Sequence, residues 1–397
     1  MQHQNQDQDQ DQHEHQEHQE RPHVEETRDI QKYQSRNLIN SKYVFERKIG
    51  KGSFGCIYQG LNIITQEKVA IKYEATTCAQ PTLVWESKIL NHLLGIPGVV
   101  KLRYFGTESN KNIIVMDLFS HTLAEEVTKL KKAASYARFN KKYENVSESG
   151  SESGTECEMQ SIDENSNSNS NSNSNTNSNT NSNTNSDDDS NIYNIDYKYY
   201  LKDILKYMIT IIEIIEKIHE KGVIHRDIKP ENFMISLSKI QDNKIGQHDQ
   251  TDTINRVIKK VNIIDFGLSR IYIKDYAHIP NKPNASIVGT MRYISTHIHE
   301  GNVYSRRDDI ISILYVIIYL LKGKLPWCGL KVNPGDKRTK AELVYDVKKR
   351  THICQLCEGL PYIFERMLTY AYKIEFKEKP DYNYLKRLCK QELLADD

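Results

Sequence analysis

Two short runs in the chain hold the residue types that phosphate chemistry requires. In His225-Arg226-Asp227-Ile228-Lys229-Pro230-Glu231-Asn232, an acid, an amine and an amide stand close together along the backbone. Asp227 is suited to accept the proton of an attacking hydroxyl, Lys229 to neutralise charge on a transferring phosphoryl group, and Asn232 to hold a magnesium ion. Asp265-Phe266-Gly267 supplies a second metal ligand through Asp265. A hard divalent cation held by few protein groups, with phosphate oxygens completing its shell, fits magnesium better than calcium or zinc.

A nucleotide also needs a cradle and a counter-charge. Gly50-Lys51-Gly52-Ser53-Phe54-Gly55 lies between two predicted strands, where glycines let backbone amides approach phosphate oxygens. The same spacing marks ordinary tight turns and the dinucleotide-binding fingerprint, but the latter requires a helix directly after the glycines. Here Cys56-Ile57-Tyr58 continues as strand, and Val69-Ala70-Ile71-Lys72 follows. Lys72 is expected to contact the first two phosphates, with Glu86 on the next helix holding it in place. A lysine alternating with apolar residues is more often a solvent-facing strand residue, so this pair carries weight only beside the two acidic runs.

Taken in order, these segments resemble the eukaryotic protein kinases over roughly Tyr43 to Cys389, apart from insertions. The resemblance implies a two-lobed α+β fold: a small antiparallel-sheet lobe with one main helix at 41–118, and a larger, mostly helical lobe at 119–390. It implies ATP and magnesium as cofactors, and a nucleotide pocket built from Ile49, Gly50, Gly52, Ser53, Gly55, Ile57, Ala70 and Lys72. Met116 would stand at the back of that pocket, with Asp117, Leu118 and Phe119 as the hinge. Lys229 after the acid resembles the serine/threonine kinases. Gly289-Thr290-Met291-Arg292-Tyr293, Ser305-Arg306-Arg307-Asp308-Asp309, Leu325-Pro326-Trp327-Cys328-Gly329-Leu330 and Lys379-Pro380-Asp381-Tyr382 look like the casein kinase 1 family, which also lacks an A-P-E motif.

Members of that family prefer acidic or already phosphorylated protein substrates and read a phosphate three residues before the target. The positions that match their basic pocket are Arg226, Arg270, Arg292, Lys337, Arg338 and Lys340. Fixed charges of this kind pair with phosphate through charge-assisted hydrogen bonds. Lys337-Arg338-Thr339-Lys340 reads equally well as a solvated loop or a nuclear import signal. Asp309 would order the catalytic loop from the start of a buried helix. Three positions depart from the family: Ala285 stands where a lysine often completes the anion site, Ser295-Thr296-His297 replaces Ser-Ile-Asn, and Leu314 replaces a glycine. The alternative is a pseudokinase-like scaffold that docks phosphorylated partners. Such proteins commonly lose the lysine or one of the two aspartates, and Lys72, Asp227 and Asp265 are all present.

The elements that must position these residues are legible in the apolar pattern. Strands are expected at Tyr43–Ile49, Cys56–Gly60, Lys68–Tyr73, Val99–Phe105 and Asn112–Met116, with helices at Thr82–Leu94 and Leu201–His219. Residues 1–40, rich in Gln, His, Asp and Glu, are too polar to offset the entropy of ordering and are expected to be disordered. A disordered Ser/Asn-rich insertion is expected at about 134–195, and a smaller one at 237–255. Within the larger one, Ser151, Thr155, Ser161 and Ser166 each follow an acidic residue by three places, so it is either a self-phosphorylated competitor for the substrate groove or an inert expansion.

Charge and cysteine usage bound the surroundings. The net charge of +1 conceals −5 over residues 1–40 and −10 over 144–190, leaving about +16 on the folded part, which favours acidic partners. Protein rather than nucleic acid is the expected partner, and the expected state is a monomer. Seven cysteines at irregular spacing, without a signal peptide, suit reduced thiols in the cytoplasm or nucleus. Cys354 and Cys357 form one pair without a second, which is too few thiols for a zinc site. The longest apolar run, Ile310–Leu321, is twelve residues, too short to cross a bilayer of about 30 Å as a helix, so no membrane association is expected.

Overall fold

The computed structural model describes residues 38–51, 55–148, 188–242, 254–333 and 336–395. Strands β1 (Tyr43–Lys51), β2 (Cys56–Asn62) and β3 (Lys68–Ala75) precede helix α1 (Leu83–His92), and β4 (Leu102–Glu108) and β5 (Lys111–Asp117) follow it. They form one antiparallel sheet in the order β1-β2-β3-β5-β4. The period of two divides β3 between its faces. Val69 and Ile71 pack with Tyr43, Ile113 and Val115 on one side, whereas Ala70 joins Leu83, Ile89, Leu90, Ile114 and Met116 on the other. Lys72 shares the second face, and that parity aims its ammonium at the underside of the sheet.

Helix α1 is anchored by an anion at its positive end. Glu74 accepts from the Thr82 amide at 2.9 Å and the Leu83 amide at 3.1 Å, with Asn112 Nδ2 at 3.2 Å. The strand expected from Val99 begins instead at Leu102. Gly98 and Val100 are drawn into the other lobe, where the Ile263 amide donates to Gly98 O at 2.7 Å and the Val100 amide to Ile263 O at 3.1 Å.

The second lobe follows with β6 (His121–Thr122), α2 (Leu123–Glu148), α3 (Asp188–Glu220), β7 (Val223–Ile224), β8 (Phe233–Asp242), β9 (Ile254–Ile263), β10 (Arg270–Ile271), β11 (Ile273–Lys274) and β12 (Ala277–His278). Helices α4 (Thr296–His299), α5 (Arg306–Lys322), α6 (Lys340–Arg350), α7 (Ile353–Cys357), α8 (Tyr362–Lys373) and α9 (Tyr382–Leu394) complete it. Helix α5 is apolar all round and buried on nearly every side, with Leu314 only 1% exposed in the core. Gly323 ends it at φ +77°, a backbone conformation that suits glycine. This is a two-lobed α+β fold.

Three expected boundaries are corrected. Ile39 is 3% exposed and pairs with Tyr43, so the sheet lobe begins inside the tail, whose residues 1–37 lie outside the described ones. Helices α2 and α3 enter the expected insertion from both ends, because Ala134 and Tyr200 still pack in the main core and the Lys/Ala-rich run around 131–142 favours helix. Residues 149–187, with Ser151, Thr155, Ser161 and Ser166, lie outside the described residues. The smaller insertion is entered by the β8–β9 ladder, paired from Phe233↔Ile263 to Asp242↔Ile254, and 243–253 lie outside the description.

His297 and His299 on α4 are half-buried, and burial pushes both down to about 4. The unfolded chain takes up these protons near pH 6.5, whereas the folded chain resists them until about pH 4. Stability contributed by the neutral rings is therefore lost as pH falls through that window. The His297→Gln/His299→Gln double variant should show a shallower fall in urea midpoint between pH 6.5 and 4 than the parent chain. That difference isolates the histidines from Asp308, whose buried carboxyl is pushed up to about 6 and titrates in the opposite sense.

Candidate active site

Parity on β3 and packing of α1 bring Lys72 and Glu86 together, and Asp265 reaches them from the other lobe. Lys72 Nζ donates to Glu86 Oε2 at 2.8 Å and to Asp265 Oδ1 at 2.9 Å. Burial works against the Lys72 charge, but the two carboxylates overcome it and raise its pKa. Burial likewise opposes ionisation of Asp265, yet Lys72, with Lys229 and His225 behind it, holds that carboxyl below its ordinary value. The Asp265 side chain remains 37% exposed, which leaves it reachable in a cleft between the lobes.

The sheet positions several expected pocket residues in rows. Gly50 pairs with Ile57 and Ile57 with Lys72, while Ala70 pairs with Met116. Ile49 is exposed at the open end of β1; Ala70 and Met116 are buried. Gly55 has no substitute, since a Cβ there would lie 2.0 Å from the Tyr73 carbonyl oxygen. Gly52 and Ser53 lie outside the described residues. At the hinge, the Asp117 carboxylate is occupied by Arg103 Nε at 2.7 Å, and Arg103 also pairs with Glu67, so this position offers a ligand its backbone only. Leu118 and Phe119 pack against the core.

Below the cleft, the loop after β7 closes on itself around Asp227. Its Oδ2 accepts from Lys229 Nζ at 2.5 Å and its Oδ1 from Thr290 Oγ1 at 2.8 Å. Asn232 ends a single tight turn, Pro230–Asn232, and its Nδ2 donates to Asp227 O at 2.8 Å. That bond orients the amide and leaves its oxygen without a protein partner among the described residues. Asp265 Oδ2 is likewise without a hydrogen bond there. The two spare atoms are hard oxygens, the donor type a magnesium-like cation takes. Among the described residues no three His, Cys, Asp or Glu side chains gather for a metal, so a cation held by Asp265 and Asn232 would complete its shell with phosphate and water oxygens.

The loop's backbone is strained and then pinned. Arg226 sits at φ +68° and Asp265 at φ +64°, uncommon for residues with a side chain. Asp309, fully buried at the start of α5, accepts from the His225 amide at 2.7 Å and the Arg226 amide at 3.0 Å. Burial opposes its charge, but the His219 ring and these amides hold the carboxyl below its ordinary value. His219 Nε2–H donates to Asp309 at 3.0 Å, and its Nδ1 accepts from Tyr382 OH at 2.6 Å, which fixes the tautomer.

The residues of the expected basic site stand on separate segments of the helical lobe. Arg226 and Arg270 lie near enough to repel each other, and Arg226 Nε donates to Leu268 O at 2.6 Å. Arg292 stacks on Tyr319, 5.1 Å from the ring centre. Arg338 is bound to Asp336 at 2.7 Å and Asp346 at 2.9 Å, and Lys337 and Lys340 are exposed beside it. Cys354 is exposed and Cys357 buried, with burial pushing the Cys357 thiol up to about 12.

The sequence left several working residues without a role. Thr290 belongs to a family-like segment, but nothing in the sequence marks it as a partner of Asp227. Glu74, Trp85 and His92 carried no signal, yet Trp85 Nε1 donates to Ser269 O at 2.7 Å and His92 Nε2 lies 2.7 Å from Lys221 O, tying α1 to the other lobe.

The protein kinase domain model matches residues 43–149 and 184–371, most of the chain. The chain belongs to the protein kinase domain family. The gap in that match falls on the Asn/Ser/Thr tract, and both matched parts carry the site. Kinase domains are phosphotransferases that use ATP with a divalent metal, and the oxygens of Asp265 and Asn232 fit that requirement.

Replacing Lys72 by Met should lower phosphotransfer at least about 100-fold by removing a preorganised charge from the cleft, measured as label transfer from ATP with circular dichroism to confirm folding. Asp309→Asn offers one acceptor to two amides and should cost about 2–4 kcal/mol. Denaturant unfolding would record that loss, and an unchanged midpoint would contradict the pinning role.

Proposed function

We propose that this kinase transfers the γ-phosphate of ATP to serine or threonine in acidic or already phosphorylated protein segments, in the manner of the casein kinase 1 family, with magnesium as its metal. The observation that carries the proposal is the clasp on Asp227 by Lys229 and Thr290, at 2.5 and 2.8 Å. It fixes one carboxylate in the helical lobe, which also carries Asp265, the acid that meets Lys72 of the sheet lobe at 2.9 Å. In this reading Asp227 orients the attacking hydroxyl and takes its proton, while Lys229 offsets charge on the transferring group. Asn232 and Asp265 would hold the metal, which supplies charge neutralisation on the phosphates when bound.

The casein kinase 1 type is supported by how its matching segments touch. Tyr382 reaches His219, and through it Asp309. Trp327 Nε1 donates to Arg292 O at 2.7 Å. The four family-like runs thus brace the loop that bears Asp227. Preference for acidic substrates rests on the positive folded part and on the neighbouring Arg226 and Arg270; Arg338 has its charge spent on Asp336 and Asp346. Work as a monomer on protein substrates in the cytoplasm or nucleus, apart from nucleic acid and membrane, belongs to the same proposal.

The test offers one serine peptide in plain, acidic and pre-phosphorylated versions, with labelled ATP and magnesium. Wild type should favour the acidic and phosphorylated versions, and Asp265→Asn should fall by about 10²–10³. Transfer to tyrosine alone would refute the hydroxyl assignment. A chain that binds the phosphopeptide with no turnover would be a scaffold instead.

A further inference from the structure

Lys348 on α6 is an oddly buried lysine. It is 4% exposed, and no carboxylate lies within ion-pairing distance of it among the described residues. Its Nζ donates to Met291 O at 2.7 Å and Ile294 O at 2.6 Å, and lies 3.4 Å from His299 Nε2. The amine of lysine donates only through its N–H groups, and two of them here meet carbonyl oxygens. The rings of Trp327 and Tyr315, with centres 5.3 and 5.4 Å from Nζ, supply the remaining stabilisation. Burial favours losing the proton and pushes this pKa well down, but carbonyl dipoles and two aromatic faces favour the charged form.

The carbonyls it holds belong to a short turn. The amides of Tyr293 and Ile294 donate to Thr290 O at 2.8 and 3.2 Å. Trp327 Nε1 takes Arg292 O at 2.7 Å. Three of the four carbonyls from Met291 to Ile294 are therefore bound by side chains of the helical lobe. Thr290, at the head of this turn, places its hydroxyl on Asp227. Met291 is 40% exposed beside it, so the turn borders the ground that a protein substrate must occupy.

We propose that Lys348 is a positioning residue for the protein substrate: it fastens the turn 290–294 from behind, and through Thr290 sets where the substrate hydroxyl meets Asp227. The inference rests on the kinase reading and concerns the protein substrate only, since no contact joins Lys348 to the nucleotide side of the cleft. An ammonium reaching two carbonyls and a ring nitrogen is replaced poorly by a thioether and in part by a guanidinium.

The test measures kcat and KM for both substrates in wild type, Lys348→Met, Lys348→Arg and Trp327→Phe, using the full chain and the acidic serine peptide. Lys348→Met should raise the peptide KM about tenfold or more, as losing one or two net hydrogen bonds would, with the ATP KM within about twofold. Lys348→Arg should recover part of the loss, and Trp327→Phe should show a smaller rise of the same kind. Equal rises in both KM values, or a folded Lys348→Met with an unchanged peptide KM, would overturn the inference. If Lys348→Met fails to fold, Trp327→Phe decides: an unchanged peptide KM overturns it. An inactive wild type would sink the kinase reading itself, whereas an active wild type with indifferent variants sinks only the role of Lys348.

Discussion

Lys72 Nζ is held 2.8 Å from Glu86 and 2.9 Å from Asp265, and each of these three residues belongs to a different element. Burying any one of the charges alone would cost several kcal/mol. The ammonium is tolerable because two carboxylates meet it, and they meet it only when β3, α1 and the loop after β9 are all in place. Three charged groups carry a net charge of −1, so the cluster also attracts a cation on its open side, where Asp265 is exposed. The same interaction therefore joins the lobes and prepares the place where metal and phosphate would sit.

A second buried acid does for the backbone what Lys72 does for the cleft. Asp309 receives two successive amides of a segment whose Arg226 is in the left-handed region. Strain of this kind persists only when the surroundings over-determine it, and here they do. His219 holds Asp309, Tyr382 holds His219, and the Tyr272 hydroxyl donates to His219 O at 2.7 Å. A residue near the chain's end thus reaches, in three hydrogen bonds, the loop that carries Asp227. The partners are side chains on α3, α5 and α9, so the stiffness of the loop derives from the packing of the helical lobe.

What could be read from the sequence followed from locality. Lys72, Glu86, Asp227, Asn232 and Asp265 sit in short runs with characteristic neighbours; the structure joins Lys72 to Glu86 and Asp265, and Asn232 to Asp227. The alternation on β3 taken alone pointed Lys72 to solvent, whereas the structure buries it. Thr290 as partner of Asp227, Glu74 as cap of α1 and Lys348 as anchor of a turn are pairings across 63, 8 and 57 positions, and a residue type alone announces none of them. Glu74 is instructive because it lies close by in sequence and still gives no signal: a glutamate alternating along a strand looks solvated until the helix that needs an anion is set against it. Residue type suggested one basic pocket from 226, 270, 292 and 337–340; of these, Arg338 takes Asp336 and Asp346 as partners close by in sequence.

The insertion boundaries depart from what composition suggests for a related reason. Composition distinguishes a tract that cannot build a core, but a helix already paid for by packing extends past its last buried residue at little cost, since each further turn adds hydrogen bonds without a new nucleus. Thus α2 runs on beyond Ala134 and α3 starts ahead of Tyr200. The same reasoning applies to α1, whose placement decides whether Glu86 reaches Lys72. Its first turn is fixed by Glu74, its middle by Trp85 on Ser269, and its end by His92 on Lys221. Every one of these partners is a side chain or a carbonyl, and together they set the placement of α1 that unites Glu86 with Lys72 and Asp265.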